Sequence, residues 1–143
     1  MKLSRLFEYA VHGLLQLASN TGKDHVLLTE IAEKQSIPES YLRKIFQALA
    51  NAGIVKTQRG VNGGYTLLKK PEEITLRNII EVIDGHPKLY SCIGDTRKCK
   101  HYKNCFLNTN LDFIEKKFYE FFNNLNLKEI IEGLQNGNGN KFE

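Results

Sequence analysis

The stretch LLTEIAEKQSIPESYLRKIFQALANAGIVKTQRGVNGGYTLL, residues 27–68, constrains the fold more than any other part of the chain. Thr29 is placed to cap a short helix, Glu30 to Gln35. Ser36 and Glu39 have capping-box spacing, with Pro38 in the first turn of the next helix, where a missing N–H costs little. That helix runs to about Asn51, with Leu42, Ile45, Phe46 and Leu49 on one stripe, and Gly53 ends it. Two helices joined by a short turn predict a helix-turn-helix at about 28–51. Ile54-Val-Lys-Thr-Gln and Tyr65-Thr-Leu-Leu then read as two short strands. The segment between them, Arg59-Gly-Val-Asn-Gly-Gly64, is rich in residues that tolerate positive φ. A hairpin at about 54–68, directly behind a helix-turn-helix, is a wing.

The flanking sequence is helical. From about Ser4 to Asn20, Leu3, Phe7, Ala10, Val11, Leu14, Leu17 and Ala18 fall on one stripe, and Gly22 supplies a stop. Beyond Pro71, Thr75 caps a helix from Leu76 to Asp84 with Leu76, Ile79, Ile80 and Ile83 on one face, closed by Gly85. Residues 86–104 read as an irregular loop. From about Phe106 a long helix places Leu107, Leu111, Ile114, Phe118, Phe121 or Phe122, and Leu125 at alternating steps of four and three, a continuous apolar seam. Asn126 is placed to cap a last helix carrying Leu127, Ile130, Ile131 and Leu134. The tail 136–143 has too little apolar content to order itself and is expected to be disordered. The predicted fold class is mainly α with a small β-hairpin wing: a winged helix-turn-helix plus a long C-terminal helix.

No apolar run approaches the ~18 residues of a membrane span. The opening MKLSRLFEYAVHGLLQLA has a basic start, but Glu8 and His12 interrupt it and its period is helical, so it reads as a folded helix of a cytoplasmic protein rather than a signal peptide. The 20 basic against 16 acidic residues give +4, a mild lean toward polyanions.

In a helix-turn-helix the second helix enters the major groove of DNA. Its outward face carries Glu39, Ser40, Tyr41, Arg43, Lys44 and Gln47. Arg43 and Lys44 suit phosphates or guanine edges, and Ser40 and Tyr41 suit phosphate oxygens. Arg59 at the wing tip suits a narrow minor groove, where negative potential concentrates. Lys2 and Ser4 are candidates for backbone contacts. The competing reading of each charge is a solvated face.

All three cysteines, Cys92, Cys99 and Cys105, lie in one basic segment, SCIGDTRKCKHYKNC, spaced C-x6-C-x5-C. Three thiols cannot all pair within one chain, and a protein without an export signal favours a metal or cluster site over a disulfide framework. A zinc site usually shows close C-x2-C pairs, absent here. Wider spacing suits an iron–sulfur cluster, around which loop backbone wraps to deliver separate thiolates. Arg97, Lys98, Lys100 and Lys103 lower the cost of thiolates and offset an anionic cluster. The competing reading, small buried hydrophobes, fits poorly with a polar loop. A cluster wants a further ligand. His101 and Asn108 are near, and Glu8 and His12 on the first helix are i, i+4 neighbours whose strip lies roughly 120° from its apolar stripe. From spacing alone that pair reads as a surface Glu–His pair rather than as ligands.

These residues resemble the Rrf-type winged-helix transcriptional regulators, and among them the IscR/NsrR-like iron–sulfur regulators. The likeness covers about residues 1–135 and is most specific in RGVNGGY and in a cysteine loop placed after ITLRNIIEVIDG. It implies a homodimer in which the helix at 106–125 crosses its counterpart, near-palindromic double-stranded operators, and Arg59 in the minor groove. The corresponding organisation is a DNA-binding domain at 1–85, a cluster-binding loop at 86–105 and a dimerisation region at 106–135. It implies a cluster, 2Fe–2S or 4Fe–4S, held by Cys92, Cys99 and Cys105. One branch adds a histidine three residues after the last cysteine, where this chain has Asn108. Other branches take the remaining ligand from the partner's first helix, at the position of Glu8 or of His12, and both are present here.

The expected protein is therefore a regulator, not an enzyme, whose operator affinity follows a cluster sensing redox state, nitric oxide or iron–sulfur status. A cofactor-free thiol switch and a zinc-stabilised winged-helix repressor are the alternatives. A cluster-dependent oxidoreductase is disfavoured by the short chain and the lack of a nucleotide-binding glycine loop.

Overall fold

A computed structural model describes residues 3–20, 24–61, 63–86 and 100–137, leaving aside the side chains of residues 102, 108 and 109. Helix α1, Arg5–Ala18, buries Phe7, Ala10, Gly13, Leu14 and Leu17. It stops at Ser19, ahead of the expected Asn20; Gly22, Lys2, Cys92, Cys99 and the tail 138–143 lie outside the described residues.

Helix α2, Leu28–Gln35, starts earlier than Thr29 capping would allow. Leu27 takes the cap position with no side-chain bond, and Thr29 sits exposed inside the helix. The extension buries Leu28 beside Ile31, and burial of a leucine outweighs a cap worth ~1 kcal/mol. The expected Ser36–Glu39 capping box is also absent. Ser36 ends α2 in the left-handed region (φ 54°), its N–H bonded to carbonyls of Ala32 and Glu33. That bend drives Ile37 into the core at 5% exposure and puts Pro38 at the cap of α3 rather than in its first turn. Helix α3, Glu39–Asn51, buries the predicted Leu42, Ile45, Phe46 and Leu49. Gly53, at φ 72°, supplies the turn behind it.

The hairpin pairs β1, Val55–Thr57, with β2, Tyr65–Leu67, in the register Val55↔Leu67, Lys56↔Thr66 and Thr57↔Tyr65. Val26 bridges to Tyr65 on the other side of β2, tying the wing to the segment before α2. After a 3-10 turn, Pro71–Glu73, helix α4 spans Leu76–Ile83, capped by Thr75 in a capping box with Asn78. Helix α5 spans Phe106–Asn124, and α6 spans Leu127–Gln135 with Asn126 and Glu129 in a second capping box.

One core takes residues from α1, α2, α3, β1 and α4, together with Ile74 and Leu127. The C-terminal helices are pinned to it by backbone: Leu76 N–H donates to Leu125 at 2.9 Å, and Leu127 N–H to Ile74 at 3.0 Å. The seam on α5 is only half covered. Phe122 packs on the core and stacks with Phe118 at 4.3 Å between centroids. Leu107, Ile114 and Phe121 face outward, as do Phe106 and Phe113.

Candidate nucleic-acid interface and cysteine site

Burial of one stripe of α3 leaves Ser40, Tyr41, Arg43, Lys44 and Gln47 exposed on the other. Glu39 is half-buried and pairs with the Arg43 guanidinium. Gln47 donates its amide to Asn51 at 3.1 Å. The Tyr41 ring meets Tyr9 of α1 edge-on, 6.0 Å between centroids. Gly13 lets α1 lie directly on α3, since a Cβ there would stand 2.8 Å from Phe46. The α1 helix thus sets the pose of α3.

The wing tip is tight. Gly63 N–H closes on the Gly60 carbonyl at 2.9 Å, and Gly60 has φ 127°, open to glycine. A Cβ on Gly63 would stand 2.3 Å from the Gln58 carbonyl. The tip displays Arg59 and a fully exposed Val61. Arg59 also lines a concavity of about 460 Å3 with Asp24, Lys56, Thr57, Gln58 and Thr66. Lys56, Thr57 and Thr66 were not singled out by sequence. Their signal is the hairpin itself, in which Lys56 and Thr57 are both exposed and Lys56 pairs with Thr66.

Ser4 has another use than a phosphate contact. Its oxygen accepts from Phe7 N–H at 3.1 Å to cap α1, and its hydroxyl and N–H both donate to the Asp84 carboxylate. The start of α1 is thereby tied to the residue preceding Gly85, where the chain turns toward the cysteine segment.

Of the expected ligands, Cys105, Glu8 and His12 are described. Cys105 occupies the cap position of α5, half-buried and with no disulfide partner among the described residues. Exposed Lys100, His101 and Lys103 precede it around a 3-10 turn, Tyr102–Asn104. Glu8 and His12 are exposed, and neither makes a hydrogen bond or ion pair among the described residues, so the surface pair expected as their alternative is not formed. They stand beside a groove of about 350 Å3 between α1, α4 and α6, lined by Leu3, Ser4, Phe7, Val11, Leu76 and Ile130. Among the described residues no three histidine, cysteine or acidic side chains gather to hold a metal ion. Cys105 and the Glu8/His12 strip therefore do not form such a group within one chain. The donor types, a half-buried thiol in a basic setting with a carboxylate and an imidazole that no described residue engages, fit a thiophilic metal centre.

Recognition helix, tight glycine wing and tethered C-terminal helices define a winged helix-turn-helix transcriptional regulator. Comparison with known proteins agrees. Residues 3–133 match the profile of the Rrf2 family, described as iron-dependent transcriptional regulator, and the chain belongs to that family. It is 32% identical over 131 residues to the HTH-type transcriptional regulator IscR of Aliivibrio salmonicida, covering 92% of this chain and 77% of that one. Among solved structures it resembles CymR, the global cysteine regulator of B. subtilis, with TM-score 0.76 and 27% identity over 92% of this chain and 97% of that one. T. potens IscR superposes with TM-score 0.76 and 27% identity, over 96% and 90%. The oxidized form of Staphylococcus aureus CymR gives 0.73 and 26%, over 92% and 97%.

Proposed function

We propose that this regulator is a cytoplasmic homodimer that binds a near-palindromic operator and carries an iron–sulfur cluster as its sensor. Cys92, Cys99 and Cys105 would hold the cluster, with Glu8 or His12 of the partner subunit completing it. The observation that carries the proposal is the Cys105 thiol at the head of α5, set among basic residues, together with a carboxylate and an imidazole that no described residue engages. When bound, the cluster would supply a centre sensitive to oxidants, nitric oxide and iron supply. The protein's part is mechanical. The cysteine segment lies between Gly85 and α5, and Asp84 fastens its near end to α1. Through Gly13 and Tyr9, α1 bears on α3. A change in the segment's order would therefore alter how two recognition helices, about 34 Å apart in a dimer, meet successive turns of DNA.

On DNA, Ser40, Tyr41, Arg43, Lys44 and Gln47 would face the major groove, Arg59 the minor groove, and Lys2 the backbone. The test is an absorption spectrum of protein purified without oxygen, with iron and sulfide assayed on the same sample. Visible bands with stoichiometric iron and sulfide are expected. A colourless, iron-free protein after reconstitution refutes the cluster.

A second reading, a cofactor-free thiol switch, is favoured by the likeness to CymR, one structure of which is an oxidized form. It predicts no iron and an operator affinity that responds to peroxide. Zinc without labile sulfide would instead identify a zinc-stabilised repressor.

A further inference from the structure

Two cations, Arg43 and Lys44, stand side by side on the outward face of α3, and both are exposed. The fold treats them differently. The Arg43 guanidinium donates to the Glu39 carboxylate one turn earlier, whereas Lys44 makes no hydrogen bond or ion pair among the described residues. Glu39 is the first residue of α3, where the helix dipole favours a carboxylate. It is also the better-held partner, its side chain 39% exposed against 70% for Arg43. An exposed i, i+4 pair adds little to helix stability. Its consequence lies in where it holds the guanidinium.

A guanidinium is a rigid planar fork of five N–H donors, and the contact with Glu39 leaves others free. Fixing one donor restricts the orientation of the plane. It also sets a negative charge beside the cation, which repels a phosphate that the arginine would otherwise attract. A guanine edge carries no such charge. It offers O6 and N7 as two acceptors in one plane, which a pre-oriented fork meets bidentately. Lys44, a compact ammonium without that restraint, suits a phosphate. Residues toward the N-terminus of a recognition helix are the ones that reach base edges, and both members of the pair lie in the N-terminal half of α3.

We propose that Glu39 is a positioning residue that orients Arg43 to read one guanine in each half-site, leaving Lys44 to the phosphate backbone. The proposal rests on the reading above that α3 lies in the major groove, and it divides between two neighbouring cations the roles of base reader and backbone anchor.

Duplexes enriched from a random-sequence pool by the full-chain protein supply the operator. Affinity is then measured at one salt concentration for the enriched duplex, for the same duplex with each G·C pair changed in turn, and for random-sequence DNA. One guanine per half-site should be preferred by about 5- to 150-fold, and Arg43→Ala should erase that preference. Glu39→Gln keeps the side-chain length and removes the charge. It should lower the same preference by about threefold or more, while binding to random-sequence DNA holds or tightens. In the Arg43→Ala background Glu39→Gln should change selectivity no further. Lys44→Ala should leave the guanine preference intact and reduce the salt slope by about one. A role for Glu39 in helix stability alone would weaken all duplexes equally, and that result overturns the proposal. So does a Glu39→Gln protein with wild-type guanine preference. If Lys44→Ala or Gln47→Ala alters base preference and Arg43→Ala does not, the positioning role falls and α3 keeps its place in the groove. If none of the three alters base preference, the placement of α3 itself is refuted.

Discussion

Gly64 is the residue on which the wing's attachment turns, and Gly64→Ala tests it. One edge of Gly64 pairs with Gln58, exchanging bonds of 2.8 and 3.1 Å. Its other side faces the backbone of Val26. An added Cβ would stand 2.4 Å from the Val26 carbonyl oxygen, 2.8 Å from its carbon and 3.0 Å from the His25 ring. Two of these obstacles are main chain and cannot rotate away. The Val26 segment must therefore separate from β2, losing the reciprocal bonds Val26 N–H to Tyr65 at 2.9 Å and Tyr65 N–H to Val26 at 2.8 Å. At about 0.5–1.5 kcal/mol each, the pair costs about 1–3 kcal/mol. Urea unfolding followed by circular dichroism at fixed chain concentration measures this as a lowered midpoint. Operator affinity should fall as well, because Arg59 hangs from this hairpin. An alanine variant within about 0.3 kcal/mol of wild type would refute the steric account, since it lies below the smallest single bond in the sum.

Arg59→Ala should weaken operator binding and reduce the salt slope by about one without changing iron content; unchanged affinity removes Arg59 from the interface. Cys99→Ser should abolish or destabilise the cluster, and full iron and sulfide in that variant strike Cys99 from the ligands. Asp84→Ala should cost about 1.5–3 kcal/mol, since a half-buried carboxylate accepts from both Ser4 donors; a double-mutant cycle with Ser4→Ala showing no coupling would discard the tether. Partial burial, then Glu115 and Glu81, hold the Tyr119 phenol above its usual range, against the opposing Arg77. Below the unfolded value, about 10, both states keep the proton; above it the unfolded chain loses it first, so stability falls with rising alkaline pH. Tyr119→Phe should flatten that fall, and identical alkaline slopes in the two proteins would contradict the assignment.

Much of the architecture was legible because it is written in periods and punctuation. The stripe of Leu42, Ile45, Phe46 and Leu49 and the caps at Thr75 and Asn126 stand where their spacing puts them. Misreadings fell where local preference competed with burial. Thr29 is a better cap than Leu27, yet Leu28 needed the core. Ser36 has the right neighbour for a capping box, yet its backbone was needed to end α2 in a left-handed turn. Ser4 looked free to meet phosphate until Asp84, eighty residues away, claimed both its donors.

By itself the sequence determined the helix order, the glycine wing and the clustering of every thiol in one basic segment, because these follow from near-neighbour periodicity, steric permissiveness and composition. Only the tertiary structure decided that Glu8 and His12 stand at an apolar groove with no partner among the described residues, that Gly13 seats α1 on α3, and that part of the α5 seam is left uncovered. Those outcomes depend on which distant surfaces meet when one core is packed, and no local spacing encodes them.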